Sequence, residues 1–167
     1  MKHITIFEFN KVVLIALALV ITGCGFQLRG LVELPALYER VYLVDQGYSD
    51  IAVPLRRSLK DSNSTIVDSK MLATSVITLL SRGVQRRALN ISGREVREYE
   101  LQLDVAFVVQ DAQGVQLADK QTVSVVRNFE NDESNTLGKN NEEQVIRQEM
   151  NEAAVIQILY RLKAIAK

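Results

Sequence analysis

Five arginines lie between positions 82 and 97: Arg82, Arg86, Arg87, Arg94 and Arg97. Among them runs Asn90-Ile91-Ser92-Gly93, a turn by composition, because Asn, Ser and Gly accept tight backbone geometry. If that turn closes a hairpin, up to five guanidiniums converge at one end of a sheet. A guanidinium is a planar fork of donors that matches phosphate oxygens two at a time, so such a cluster suits a phosphorylated ligand. Lys139 is a point charge on a loop ahead of a helix, where a simple surface lysine is the commoner explanation, and it joins the candidates through the motif it belongs to, given below. The candidate anion-binding residues are Arg86, Arg87, Arg94, Arg97 and Lys139. The competing reading is a solvated hairpin tip in which Glu95 and Glu98 neutralise some of the arginines.

Two absences narrow the chemistry further. The only histidine is His3 and the only cysteine is Cys24, and both belong to the N-terminal targeting region described below. A Ser-His or Cys-His catalytic pair is therefore excluded from the mature domain, as is a zinc site built on His and Cys. Asp132, Glu133, Glu142 and Glu143 could be read as a carboxylate cluster for hydrolysis or metal binding. Their places in a polar loop and a helical first turn already account for their charge. An enzyme is not expected, nor a metal, nor a cofactor.

Cys24 has a different chemistry. Lys2 and Lys11 flank a charged N-terminal stretch, and Val12 to Ile21 (VVLIALALVI) is an unbroken apolar run of ten residues. As a helix it spans roughly 15 Å, half of a ~30 Å hydrocarbon core, which is too short to cross a membrane and right for a signal peptide. Ile21-Thr22-Gly23-Cys24 resembles the bacterial lipobox, an aliphatic residue and two small ones before a cysteine. That resemblance implies cleavage after residue 23, an S-diacylglycerol on Cys24 and an N-acyl chain on its new amino terminus. Several acyl chains give lasting attachment where a single one binds only marginally. Gly25 follows the cysteine rather than aspartate, which by resemblance to the enterobacterial sorting rule implies the outer membrane, on its periplasmic face.

Removing residues 1–23 takes away Lys2, Lys11 and Glu8 from 20 basic and 20 acidic residues, leaving 18 against 19. A mature chain of net charge −1 has no basic surplus for nucleic acid, so any anion site is a local cluster. The 144 residues that remain suffice for one domain with one core.

The elements that must position these residues follow from periodicity. Residues 24–37 have no clean period and read as a lipidated tether, and residues 38–167 as a single domain. Val41 to Asp45 is a first strand. Ile51, Leu55 and Leu59 recur every four residues on a helix that Pro54 should confine to a start near Ala52. Ser64 to Val67 is a short β-rich run. Thr74 to Leu89 and Glu95 to Gln110 are long strands. In the second of these, Leu101, Leu103, Val105, Phe107 and Val109 alternate with polar neighbours. Asp111-Ala-Gln-Gly114 is a hairpin turn that Val115 to Phe129 completes. Asn131 to Asn141 is a polar loop. A final helix then opens on Asn140 or Asn141 and buries Ile146, Met150, Ala153, Leu159, Leu162 and Ala166. The order βα-βββ-α predicts an α+β fold. It is a two-layer sandwich of a mixed four-stranded sheet, with both helices on one face.

Short motifs in the same order resemble the LptE family of lipopolysaccharide-assembly lipoproteins. They are Cys24-Gly-Phe-Gln-Leu-Arg-Gly30, Glu98-Tyr99-Glu100, Arg127 with Phe129, and Lys139-Asn-Asn-Glu-Glu-Gln-Val-Ile-Arg-Gln-Glu-Met150. The similarity runs over essentially the whole mature chain, with a departure around Ser92 to Arg97. It implies a plug for the LptD β-barrel translocon that binds lipopolysaccharide and assists its assembly at the cell surface. In that setting the arginine cluster and Lys139 would meet the phosphates of lipid A. The alternatives are another periplasm-facing lipoprotein with a different ligand, or a carboxylate-based hydrolase.

Cys24→Ser is expected to leave the precursor unprocessed or the product soluble. Metabolic labelling with a radioactive fatty acid checks it: a normally labelled, anchored variant would exclude Cys24 as the lipid site.

Overall fold

The first strand, β1 (Arg40–Val44), alternates as its sequence does, with Val41 and Leu43 buried and Tyr42 and Val44 half-buried. The structure is a computed structural model and describes residues 32–92, 95–130 and 136–166. After β1 the chain reverses at Gln46 and Gly47, both at positive φ (47° and 90°). The carboxylate of Asp45 holds this turn. It accepts from the Gly47 N–H and from Arg56, and both pull its pKa below the usual range. Helix α1 (Ser49–Asp61) follows and buries Ile51, Ala52, Leu55 and Leu59. It begins three residues before the start that Pro54 predicts, so the proline sits in the second turn. Pro54 removes the donor for the Asp50 carbonyl, and Asp50 is exposed to water, which makes the loss tolerable.

The sheet has five strands rather than the expected four, in the order β2-β1-β3-β4-β5. The addition is β2 (Thr65–Ile66), two residues too short to show a period, lying parallel to β1 at the edge. On its other side β1 runs parallel to β3 (Ser75–Ser92). β3 pairs antiparallel with β4 (Glu95–Asp111), from Ser75↔Asp111 to Ser92↔Glu95. β4 pairs antiparallel with β5 (Gln121–Glu130). The sheet is mixed, as expected. β5 starts later than the sequence suggests: beyond the Asp111–Gly114 turn only one bridge, Gln110↔Gln116, forms before Gln121.

Helix α2 (Thr136–Ile165) begins four residues or more ahead of the expected Asn140 or Asn141, so part of the presumed polar loop is helical. Both helices contribute to one buried cluster with the Leu101-to-Val109 face of β4, which confirms the two-layer α+β arrangement. Met150, Leu159 and Leu162 of the expected stripe are buried, joined by Ala154, Val155 and Ile158. Val32, Leu34 and Leu37, in the stretch read as tether, also pack against this core.

Tyr38, just ahead of β1, is fully buried, and its hydroxyl has no hydrogen-bond partner among the described residues. Burial pushes its pKa up to about 12 by disfavouring the phenolate. A group whose folded pKa is raised contributes stability below its unfolded pKa of about 10 and loses it as pH climbs towards the folded value. The domain should therefore lose stability between pH 10 and about 12 on account of Tyr38. Tyr38→Phe should match or exceed the parent melting temperature at neutral pH and flatten this alkaline decline. Thermal melts of both proteins across that range decide it.

Candidate functional site

A bulge in β3 controls what the arginines face. The β3–β4 register shifts between Leu79 and Ser81, leaving Leu80 as the extra residue. Up to Leu79 the odd-numbered residues Ile77 and Leu79 face the helices. Beyond it the even-numbered ones do, because Arg82 lies opposite Val105, Val84 opposite Leu103 and Arg86 opposite Leu101.

Arg86 consequently points to the helix side and is built into the scaffold. Its guanidinium stands 3.6 Å from the centroid of the Tyr99 ring and 5.6 Å from that of Phe129. Those rings stack on each other at 5.5 Å. Arg86 Nη1 also reaches Glu143 Oε2 at 3.3 Å, and the other oxygen of Glu143 takes two bonds from Arg147, at 2.9 and 2.7 Å. Glu143 thus belongs to a chain of ions that ties α2 to the strands. Arg82, further down the strand, contacts Asn151 on α2 (3.3 Å) and Asp50 on α1 (3.6 Å).

Arg87 projects from the opposite face. It pairs with Glu100, its direct cross-strand neighbour, at 2.8 Å, and stays mostly exposed. With Gln85, Glu100 and Gln102 it lines a shallow depression of about 70 Å³. Arg86 and Arg87 therefore do not converge. A groove of about 320 Å³ between α1 and α2 is lined by Asp50, Arg57 and Glu152 among others. Its two carboxylates outweigh one cation, a poor match to phosphate.

The other candidates share one end of the domain by chain placement. The β3–β4 ladder continues to Ser92↔Glu95, and it skips Arg97, since Val96 pairs with Ile91 and Glu98 with Asn90. Arg94 lies outside the described residues, as do Asp132 and Glu133. Arg97 is in β4 and Lys139 in α2, with their side chains outside those described. The bond from Arg86 to Glu143 brings the early part of α2 to the hairpin, and Lys139 precedes Glu143 by about one helical turn. Cys24 also lies outside the described residues. Sequence reasoning missed the cradle around Arg86. Tyr99 and Phe129 were visible as aromatics of the right strands, but only the bulge places the guanidinium over them.

A family model described as "LptE: Lipopolysaccharide-assembly" matches residues 38–162. The chain belongs to the LptE family. It is similar to the LPS-assembly lipoprotein LptE of Yersinia pestis, at 31% identity over 89% of this chain and 73% of that protein. The LPS-assembly lipoprotein LptE of Photorhabdus laumondii is 26% identical, over 89% of this chain and 82% of its own. Among solved structures, the solution structure of an uncharacterized lipoprotein B from Nitrosomonas europaea superposes with a TM-score of 0.72. The two are 30% identical, with 85% of this chain and 92% of that one covered. In this LptE-family domain the fold and the arginine-bearing hairpin fall within the matched stretch.

Arg86→Ala removes the cation over Tyr99 and the tie to Glu143. Because the Arg86–Glu143 pair is partly exposed, most of the effect comes from the aromatic contact, about 1 kcal/mol. The midpoint of urea unfolding should fall with an unchanged slope, and amide exchange should quicken around residues 143–147. Wild-type exchange there would contradict the cradle's role.

Proposed function

We propose that this chain is an outer-membrane lipoprotein, anchored through Cys24 at the periplasmic face. In this reading it partners and plugs the LptD β-barrel translocon, binds lipopolysaccharide and assists its assembly at the cell surface. It carries no reaction and no cofactor beyond the acyl groups on Cys24. The observation that supports it most is the family match across residues 38–162, together with relatives named for lipopolysaccharide assembly.

Lipid A is phosphorylated and amphipathic, so a protein that assists its transfer needs cations that hold phosphate reversibly. Arg86 is committed to Tyr99, Phe129 and Glu143, and Arg87 to Glu100, which leaves Arg94, Arg97 and Lys139 as the group we assign to the ligand. The elements that carry Arg97 and Lys139 meet at one end of the domain, which favours a shared site over scattered contacts. A charge-assisted contact contributes on the order of 1.5–3 kcal/mol when shielded and much less when exposed, so the hold is strong enough to matter and weak enough to release.

Reversing the charge of Arg94, Arg97 and Lys139 together should weaken binding to immobilised lipopolysaccharide and increase its salt sensitivity. The melting temperature and co-purification with the detergent-solubilised barrel should survive. Unchanged binding by a well-folded triple variant would make the hairpin end a solvated tip, and failure of the parent chain to co-purify with a β-barrel would remove the translocon reading.

A further inference from the structure

Glu143 is held as a bound anion would be. Arg86, from β3, reaches its Oε2 at 3.3 Å, while Arg147, four residues further along α2, holds its Oε1 through Nε and Nη2 at 2.9 and 2.7 Å. Two guanidiniums thus take the two oxygens of one carboxylate, one from the sheet and one from the helix. A phosphate group offers oxygens to the same forks in the same way.

The surroundings favour an anion. Leu101 pairs with Arg86 on one side and with Arg127 on the other, so Arg127 shares the helix-facing row. Glu98, Glu100 and Glu130 alternate with Tyr99 and Phe129 and therefore face the other side of the sheet. At this level the described strand residues bring two cations to the helix side and no carboxylate. The cation–π contact with Tyr99 holds the Arg86 guanidinium in place independently of Glu143.

Glu143 is also replaceable. Its bond to Arg86 is the longest of the three, and its bonds to Arg147 form an i, i+4 pair on a helix surface. The Arg86 and Arg147 side chains are 37% and 35% exposed, and partly exposed ion pairs of this kind are weak. A phosphate monoester at neutral pH carries more charge than a carboxylate and has a further oxygen to offer.

We propose that Arg86 and Arg147 form a phosphate subsite, which the Glu143 carboxylate fills until a ligand phosphate displaces it. The inference rests on the lipopolysaccharide-binding reading above and deepens it. Arg94, Arg97 and Lys139 capture the glycolipid, and a second phosphate of lipid A takes the place of Glu143. Lys139 precedes Glu143 by about one turn of α2, so the capturing group and the subsite share that stretch of helix. An internal carboxylate that returns when the phosphate leaves lowers the apparent affinity, which suits a protein that must let its ligand go.

The full-length lipidated chain in nonionic detergent, titrated with diphosphoryl lipid A, dephosphorylated lipid A and inorganic phosphate, tests this. Glu143→Gln keeps the size of the side chain, removes the competing charge and should bind diphosphoryl lipid A several-fold more tightly than the parent. Glu142→Gln removes the same charge from the exposed neighbouring residue and should change little. Adding Arg147→Gln to Glu143→Gln should abolish the gain, and Arg147→Gln alone should weaken binding several-fold. Dephosphorylated lipid A should not distinguish the parent from Glu143→Gln. Melting temperatures show that each variant is folded. Equal gains from Glu142→Gln and Glu143→Gln overturn the proposal, because bulk charge then accounts for both. So does unchanged binding by a folded Arg147→Gln variant, and either result leaves the lipopolysaccharide-binding reading intact. A gain as large with inorganic phosphate as with diphosphoryl lipid A makes this a site for the free anion and overturns its assignment to the glycolipid. A parent chain that binds no lipid A overturns both readings together.

Discussion

One extra residue, Leu80, decides which side of the sheet β3 presents from Ser81 to Ala88. A strand's side chains alternate, so a single inserted residue exchanges the two faces until the next register shift, here between Ala88 and Asn90. Before the bulge β3 presents Ile77 and Leu79 to the helices, and after it Arg82, Val84 and Arg86. Without the insertion, Gly83, Gln85 and Arg87 would face α2 instead, and Arg86 would be turned away from Tyr99, Phe129 and Glu143. The Tyr48 hydroxyl donates to the Leu80 carbonyl at 3.4 Å, so the bulge is supported from the turn that opens α1.

The bulge also marks a change in how the fold is held together. Below it the sheet is covered by apolar contact: Ile51, Leu55 and Leu59 of α1 and Ile158 and Leu162 of α2 share one cluster with Ile77, Leu79, Val105 and Phe107. Apolar burial is non-directional and sums to most of the stability of such a domain. Above it two of the helix-facing residues of β3, Arg82 and Arg86, are long and charged, and directional contacts take over. Arg82 meets Asn151 and Asp50, and Arg86 meets Glu143 across the aromatic pair. Partly exposed contacts of this kind add little each. They position α2 along the hairpin more than they stabilise it, which suits a region that would engage a ligand.

The parts of this fold that were legible in the sequence are those written with a period. Leu101 to Val109 announced the central strand, the Ile51-Leu55-Leu59 spacing announced α1, and Asp111 to Gly114 announced the turn. The α+β class followed. Thr65–Ile66 was too short to show alternation, and only the neighbouring β1 makes it a strand. The early start of α2 was hidden by Asn and Gly, residues of weak helix propensity that can still be drawn into a long helix. The candidate site was legible as a concentration of arginines, because composition does not depend on register. Its division into Arg86 on one face and Arg87 on the other depends on the bulge, which no local pattern around Leu80 marks.

The length of β3 sets the two ends of the domain far apart. Eighteen residues of strand extend roughly 55 Å, more than the thickness of a whole bilayer. Arg94 and Arg97 follow the far end of that strand, while Lys70–Leu72 and the start of β1 lie at its near end. The paired β3–β4 ladder keeps the arginine-bearing end apart from the end where β1 begins. Under the proposed function, the cations that would meet lipopolysaccharide phosphate therefore lie far along the sheet from the start of β1, and the stiffness of the ladder maintains that distance.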